Sequence, residues 1–206
     1  MIGVYDYTVI ATYLALIISI QGIFISASGR PEVGLLCLMM CGMIDTFDGR
    51  IARSKKDRTE EGKLFGIQID SLNDLVCFGV LPSVIGFSMG MTGFLSRIVL
   101  SLFAIAALIR LAYFNVLEEK RQQETVAERA AYLGLPVTTV SVVMPLFYLL
   151  SVYFRLNKTV VFTVLLLLLA VAFISPLKVR KLKLPGIILA GLLVIAEAGL
   201  MIRMVF

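Results

Sequence analysis

Seven long apolar runs, separated by short polar or glycine- and proline-bearing stretches, limit what this chain can fold into. They fall at about 8–28, 33–53, 66–90, 94–117, 136–154, 159–175 and 185–205. A helix needs roughly 20 apolar residues to cross a bilayer, and each run is close to that length. Turn punctuation sits in the gaps. Gly29-Arg30-Pro31-Glu32 separates the first pair, Gly134-Leu135-Pro136 precedes the fifth run, Pro176 ends the sixth and Pro185-Gly186 opens the seventh. No internal repeat or linker divides the chain. The expectation is therefore a single all-α domain over 1–206, a multi-pass integral membrane helical bundle with about seven transmembrane helices. Composition agrees, with 59% hydrophobic and 16% charged residues and a mean hydropathy of +0.96. A soluble domain carries about 45–50% apolar and about 25% charged residues, so a freely soluble globule is excluded.

The first run is expected to stay as a permanent helix. Ser26-Ala27-Ser28 resembles a cleavage site, but no Lys or Arg precedes Arg30, and a secretory signal begins with basic residues. Orientation follows from the cations. With the N-terminus in the cytoplasm, the inner loops hold Arg50, Arg53, Lys55, Lys56, Arg58, Lys63, Lys120, Arg121, Arg129, Lys178, Arg180, Lys181 and Lys183. Arg30, Arg97, Arg155, Lys158 and Arg203 fall outside. This bias predicts a cell-membrane protein with a cytoplasmic N-terminus. It also assigns the net charge of +5 to anionic headgroups rather than nucleic acid.

There is no His and no Trp. His is the usual general base near neutral pH, so any chemistry must run on carboxylates, Lys, Tyr, Cys or a metal. Cys37, Cys41 and Cys77 are too few for a zinc site without His and are expected to be buried free thiols.

Acids cluster where two runs meet a polar stretch. Asp45, Asp48 and Ala52 are spaced i, i+3, i+7, and Gly66, Asp70 and Asp74 are spaced i, i+4, i+8, so each set lies on one helical face. If the second and third helices are antiparallel neighbours, four carboxylates converge near the cytoplasmic boundary. Acids are expensive at membrane depth and need compensating cations. Oxygen ligands without His or Cys suit Mg²⁺ or Mn²⁺, which bind phosphate oxygens readily. Gly49, Ala52 and Gly66 leave room for a ligand against the helix backbone. The competing reading is a solvated acidic helix end with incidental glycines. The register of all four acids with the small residues argues against it.

The pattern Asp45-x2-Asp48-Gly49-x2-Ala52-Arg53-x12-Gly66-x3-Asp70-x3-Asp74 resembles the signature of the CDP-alcohol phosphotransferases, with every fixed position present. These enzymes move a substituted phosphate from a CDP-linked donor to an alcohol and release CMP. The resemblance implies a six-helix membrane core, usually homodimeric. It implies two divalent cations (Mg²⁺ or Mn²⁺) held by Asp45, Asp48, Asp70 and Asp74, with Asp74 as the base. It also implies a CDP site at Asp48, Gly49, Ala52, Arg53 and Gly66. The active site is then expected at the cytoplasmic face. Without His, a route through a His-dependent phosphatidyl-enzyme is closed.

Further motifs narrow the acceptor. Asp70-Ser71-Leu72-Asn73-Asp74 followed by Phe78-Gly79-Val80-Leu81-Pro82, then Arg110-Leu111-Ala112-Tyr113-Phe114-Asn115 and Gly134-Leu135-Pro136, are similar to the runs of phosphatidylserine synthases. The resemblance implies CDP-diacylglycerol and L-serine as substrates, with Ser71, Arg110 and Asn115 on the acceptor side. Asn73, Cys77 and Tyr113 depart from the usual residues of that subgroup, and Thr12 stands where an Asn is usual. Glycerol 3-phosphate, inositol phosphate or another amino alcohol are the alternative acceptors. A divalent-cation transporter is the reading from a different class, although the acids crowd one boundary rather than lining a path. Arg110 has two readings: a ligand for a carboxylate or phosphate of the acceptor, or a structural salt bridge or snorkelling toward the inner headgroups. Glu197, alone in the last run, is expected at a helix or subunit interface. The polar stretch 118–133 is expected to form a surface helix.

Overall fold

The computed structural model describes residues 3, 7–54, 59–124, 131–180 and 184–205, with side chains outside the description at 8, 49–54, 121–124, 131–133, 178–180, 184–190 and 205. The described chain is helical almost throughout. Its helices are α1 (Ile10–Ala27), α2 (Pro31–Ser54), α3 (Glu60–Asp74), α4 (Leu81–Ser88), α5 (Phe94–Glu124), α6 (Val140–Tyr153), α7 (Lys158–Ile174) and α8 (Leu184–Val205). Single 3-10 turns at Tyr7–Val9 and Val137–Thr139 lead into α1 and α6.

One short antiparallel pairing departs from the all-α expectation. Strand β1 (Ala131–Leu133) pairs with β2 (Lys178–Arg180), with Tyr132 opposite Val179. Two boundaries also differ. The third helix begins at Glu60, not 66, because Thr59 caps it, accepting a hydrogen bond from the Gly62 amide. Helix α5 runs on through the charged residues to Glu124, which absorbs the first part of the expected surface helix. At 31 residues it is roughly 46 Å long, more than a bilayer core of about 30 Å.

Among the described residues, three stretches are long and apolar enough to cross a membrane by themselves: Ile10–Ala27, Glu60–Ser88 and Phe94–Lys120. Val137–Tyr153 and Lys158–Ile174 are shorter apolar helices. This is the architecture of an integral membrane helical bundle.

Helix α1 shows how these helices choose their inner faces. Thr12, Ala15, Ser19, Gly22 and Ser26 are buried, whereas Ile10, Leu14, Ile17 and Phe24 face outward. The small residues recur at alternating steps of three and four, giving one stripe. In lipid the outside is as apolar as the core, so close backbone approach decides which face is buried. Gly34 of α2 shows how close that approach is, since a Cβ there would overlap the Ser26 hydroxyl. On the other side of the bundle α5 packs on α7, where the Phe103 and Phe173 rings lie 5.5 Å apart.

Between α3 and α4 the helix widens into one π segment, Leu75–Val80. Pro82 lies just beyond, in the first turn of α4. Proline lacks the N–H that would bond back four residues, and a π turn absorbs the mismatch without ending the helix. The regular α geometry therefore stops at Asp74, directly after the i, i+4 acid pair.

Candidate active site

Both acidic faces meet. Oxygens of Asp45, Asp70 and Asp74 all lie within 4.8 Å of one another. Asp48 is buried, beside Asp70 and within electrostatic range of Asp74. Helix α2 packs on α1, α4, α6 and α8, and among the described residues it touches α3 little, so the acids of the two helices are brought together by their side chains rather than by close backbone packing. The α1 stripe makes this possible. It holds α2 on one flank and the α3–α4 unit on the other.

Asp74 is 8% exposed, and its Oδ1 has no hydrogen-bond partner. A buried carboxylate oxygen left unsatisfied is costly, so a cation or substrate proton at that point fits the arrangement. The donor set is all oxygen, which suits a hard divalent cation. The cluster thus passes a chemical test for a metal site.

Gly66 lies one helical turn before Asp70 on the same helix, half-buried at the polar end. At Gly49, Ala52 and Arg53, expected at the nucleotide, only the helical backbone that runs through Ser54 is described.

The expected acceptor residues separate into two places. Ser71 and Asn115 come together across α3 and α5: the Ser71 hydroxyl donates to Asn115 Oδ1 at 2.7 Å. Asn115 Nδ2 donates in turn to Gln68 Oε1 at 3.4 Å. Arg110 is buried elsewhere on α5, where its Nε donates to the Leu135 carbonyl and its guanidinium lies 5.7 Å from the Phe114 ring centroid. The turn at Leu135 is itself secured to the end of α7, with Gly134 N donating to Leu177 O and Leu135 N to Ala172 O.

Gln68 was not singled out from the sequence. Its signal was available, since residues 68, 71 and 74 recur every third position and so form one ridge of α3. The Leu135 carbonyl, by contrast, is a backbone group that no residue pattern announces.

The remaining departures have structural places. Cys41 and Cys77 are free, buried thiols: the Cys41 thiol donates to the Ala15 carbonyl, and the single Cys77 proton has that carbonyl and Asn73 Oδ1 as alternative acceptors. Thr12 is buried in α1, whereas Tyr113 is 55% exposed and points away from the core. Glu197 is buried in α8, which packs on α2 and α6, and both its oxygens lack partners.

The family model described as CDP-alcohol phosphatidyltransferase matches residues 8–175, a span that holds every acid of the cluster. The CDP-diacylglycerol–serine O-phosphatidyltransferase of Saccharomyces cerevisiae is 36% identical over 115 residues, 55% of this chain and 40% of that protein. The relative of the same name in Helicobacter pylori is 28% identical over 180 residues, 84% of this chain and 70% of its own length. An archaetidylserine synthase of Methanothermobacter thermautotrophicus is 28% identical over 136 residues, covering 66% of this chain and 54% of its own. The matched part is thus less than two thirds of the yeast and archaeal proteins.

Proposed function

This chain belongs to the CDP-alcohol phosphatidyltransferase family, and from that premise we propose that it transfers the phosphatidyl group of CDP-diacylglycerol to the hydroxyl of L-serine, giving phosphatidylserine and CMP. The observation that carries the reading is the convergence of Asp45, Asp70 and Asp74, with Asp48 beside Asp70 and one Asp74 oxygen buried and unsatisfied. The names of the similar proteins favour an amino-alcohol acceptor. Family membership displaces the transporter reading.

The four aspartates would hold two divalent cations, Mg²⁺ or Mn²⁺. When bound, such ions neutralise the diphosphate and stabilise charge that develops on departing CMP. The chain's own residues divide the remaining work. Gly49, Ala52 and Gly66 leave space for the CDP moiety against α2 and α3, with Asp48 and Arg53 beside it. Asp74 accepts the proton of the serine hydroxyl as its oxygen bonds to the lipid-bearing phosphorus. The diphosphate P–O bond breaks and CMP leaves. Because the nucleophile is the acceptor itself, no His is needed. Ser71 and Asn115 bind the acceptor beside Asp74, and Arg110 supports that side through the Leu135 turn.

The cation bias of the loops puts this end of the bundle at the cytoplasmic face, with the N-terminus on the same side. CDP-diacylglycerol then enters from the inner leaflet and serine from the cytoplasm.

The test is CMP release from CDP-diacylglycerol by the purified protein with Mg²⁺ or Mn²⁺ across a panel of acceptors. Release with L-serine supports the reading. Release with glycerol 3-phosphate or inositol phosphate, and none with serine, refutes the acceptor while leaving the transfer chemistry intact.

A further inference from the structure

Gln68, Ser71 and Asp74 form a graded ridge on α3, from exposed through half-buried to buried. The ridge faces α5, because Asn115 of that helix meets both of the outer two residues. Their polarity is ordered. A serine hydroxyl carries one proton and two acceptor lone pairs, and an amide carries an acceptor oxygen and a donor NH₂. Here the Asn115 NH₂ is turned to Gln68 Oε1, so its Oδ1 faces Ser71 and takes the only hydroxyl proton. The Ser71 oxygen is thereby left with lone pairs alone for a group arriving beside Asp74. Reversing the Asn115 amide would make Ser71 an acceptor of that bond and free its proton for the ligand.

We propose that Gln68 is a positioning residue for acceptor choice: by accepting from Asn115, it holds Ser71 as a hydrogen-bond acceptor toward the ammonium group of an amino alcohol. The inference rests on the reading above that Ser71 and Asn115 line the acceptor side. It adds the reason why an ammonium-bearing alcohol is preferred there over an alcohol of similar size without one. Gln68 itself stays outside the reacting groups.

Substitution at Gln68 tests this, since the residue is exposed on α3 and loses little packing. The full chain in detergent is assayed for CMP release with CDP-diacylglycerol, using L-serine and its deaminated analogue 3-hydroxypropanoate as acceptors. Gln68→Glu keeps an acceptor-only oxygen opposite Asn115 and is expected to retain the serine KM and the preference for serine. Gln68→Ala removes the anchor and is expected to raise the serine KM about tenfold, the effect of one lost hydrogen bond to a charged group. Its KM for CDP-diacylglycerol should not move, and its preference for serine over the analogue should narrow. An unchanged serine KM in Gln68→Ala overturns the proposal, as does an equal loss in both variants. Those results leave serine use by the unmodified protein standing. Turnover of the unmodified protein with glycerol 3-phosphate but not serine overturns the acceptor reading together with this one.

Discussion

Gly134→Ala probes how the acceptor side is held. Gly134 has a φ of +77°, and a Cβ built on it would lie 2.6 Å from the Phe173 carbonyl oxygen. Two costs follow. Left-handed backbone costs a residue with a side chain about 1–2 kcal/mol, and an extra methyl forced into a packed site costs about 1–3 kcal/mol. The neighbour is backbone at the end of α7 rather than a flexible side chain, so it yields little. Together the substitution should destabilise the fold by about 2–5 kcal/mol. For a chain of this size that corresponds to a midpoint lowered by roughly 5–15 °C, read as the fraction of monodisperse protein surviving a heat series in detergent. The displaced turn carries Leu135, whose carbonyl accepts from Arg110 and whose amide donates to Ala172. The serine KM should therefore rise as well. Gly93→Ala is the comparator, because a Cβ there meets nothing within 4 Å and the backbone is not left-handed. It should stay within about 0.5 kcal/mol of the parent. If Gly134→Ala melts within about 2 °C of Gly93→Ala, the tight turn does not hold this side of the site.

Four further outcomes are expected. Asp74→Asn keeps volume but cannot take a proton, so CMP release should fall by on the order of 10²–10⁴ while CDP-lipid still binds; activity within tenfold would remove Asp74 as the base. Chelation should stop CMP release and added Mg²⁺ or Mn²⁺ restore it, and Asp45→Asn should raise the half-maximal cation concentration on the order of tenfold. Full activity in chelator would refute the metal reading. Tyr148→Phe removes the hydroxyl that donates to Glu32 at 3.1 Å and accepts from Lys158 at 3.5 Å. It should cost about 1 kcal/mol of stability with no change in any KM. Glu197→Leu replaces a buried carboxyl with two unpartnered oxygens, and a gain of about 1–3 kcal/mol is expected in the same heat series; destabilisation would show that the carboxyl is satisfied.

Much of this molecule is legible in one dimension because its chemistry is local to helices. Apolar runs near bilayer length announce spans, since lipid leaves the backbone no partner but itself. The spacing of Asp45 with Asp48 and of Asp70 with Asp74 announces two acidic faces, because helical periodicity alone fixes them. Cation bias among the loops and the missing His belong to the same class of fact. What the residue pattern could not supply was distance between helices. That the faces meet depends on the α1 stripe of Thr12, Ala15, Ser19, Gly22 and Ser26, which sets the spacing of α2 from the α3–α4 unit. Only tertiary structure gave Arg110 the Leu135 carbonyl, a partner 25 residues away that carries no side-chain signal. Gln68 stood on the correct ridge in the sequence, but only the packing of α5 brought Asn115 to it. Period and composition determined which residues share a face; the close approach of small residues, acting between helices, decided which faces share a site.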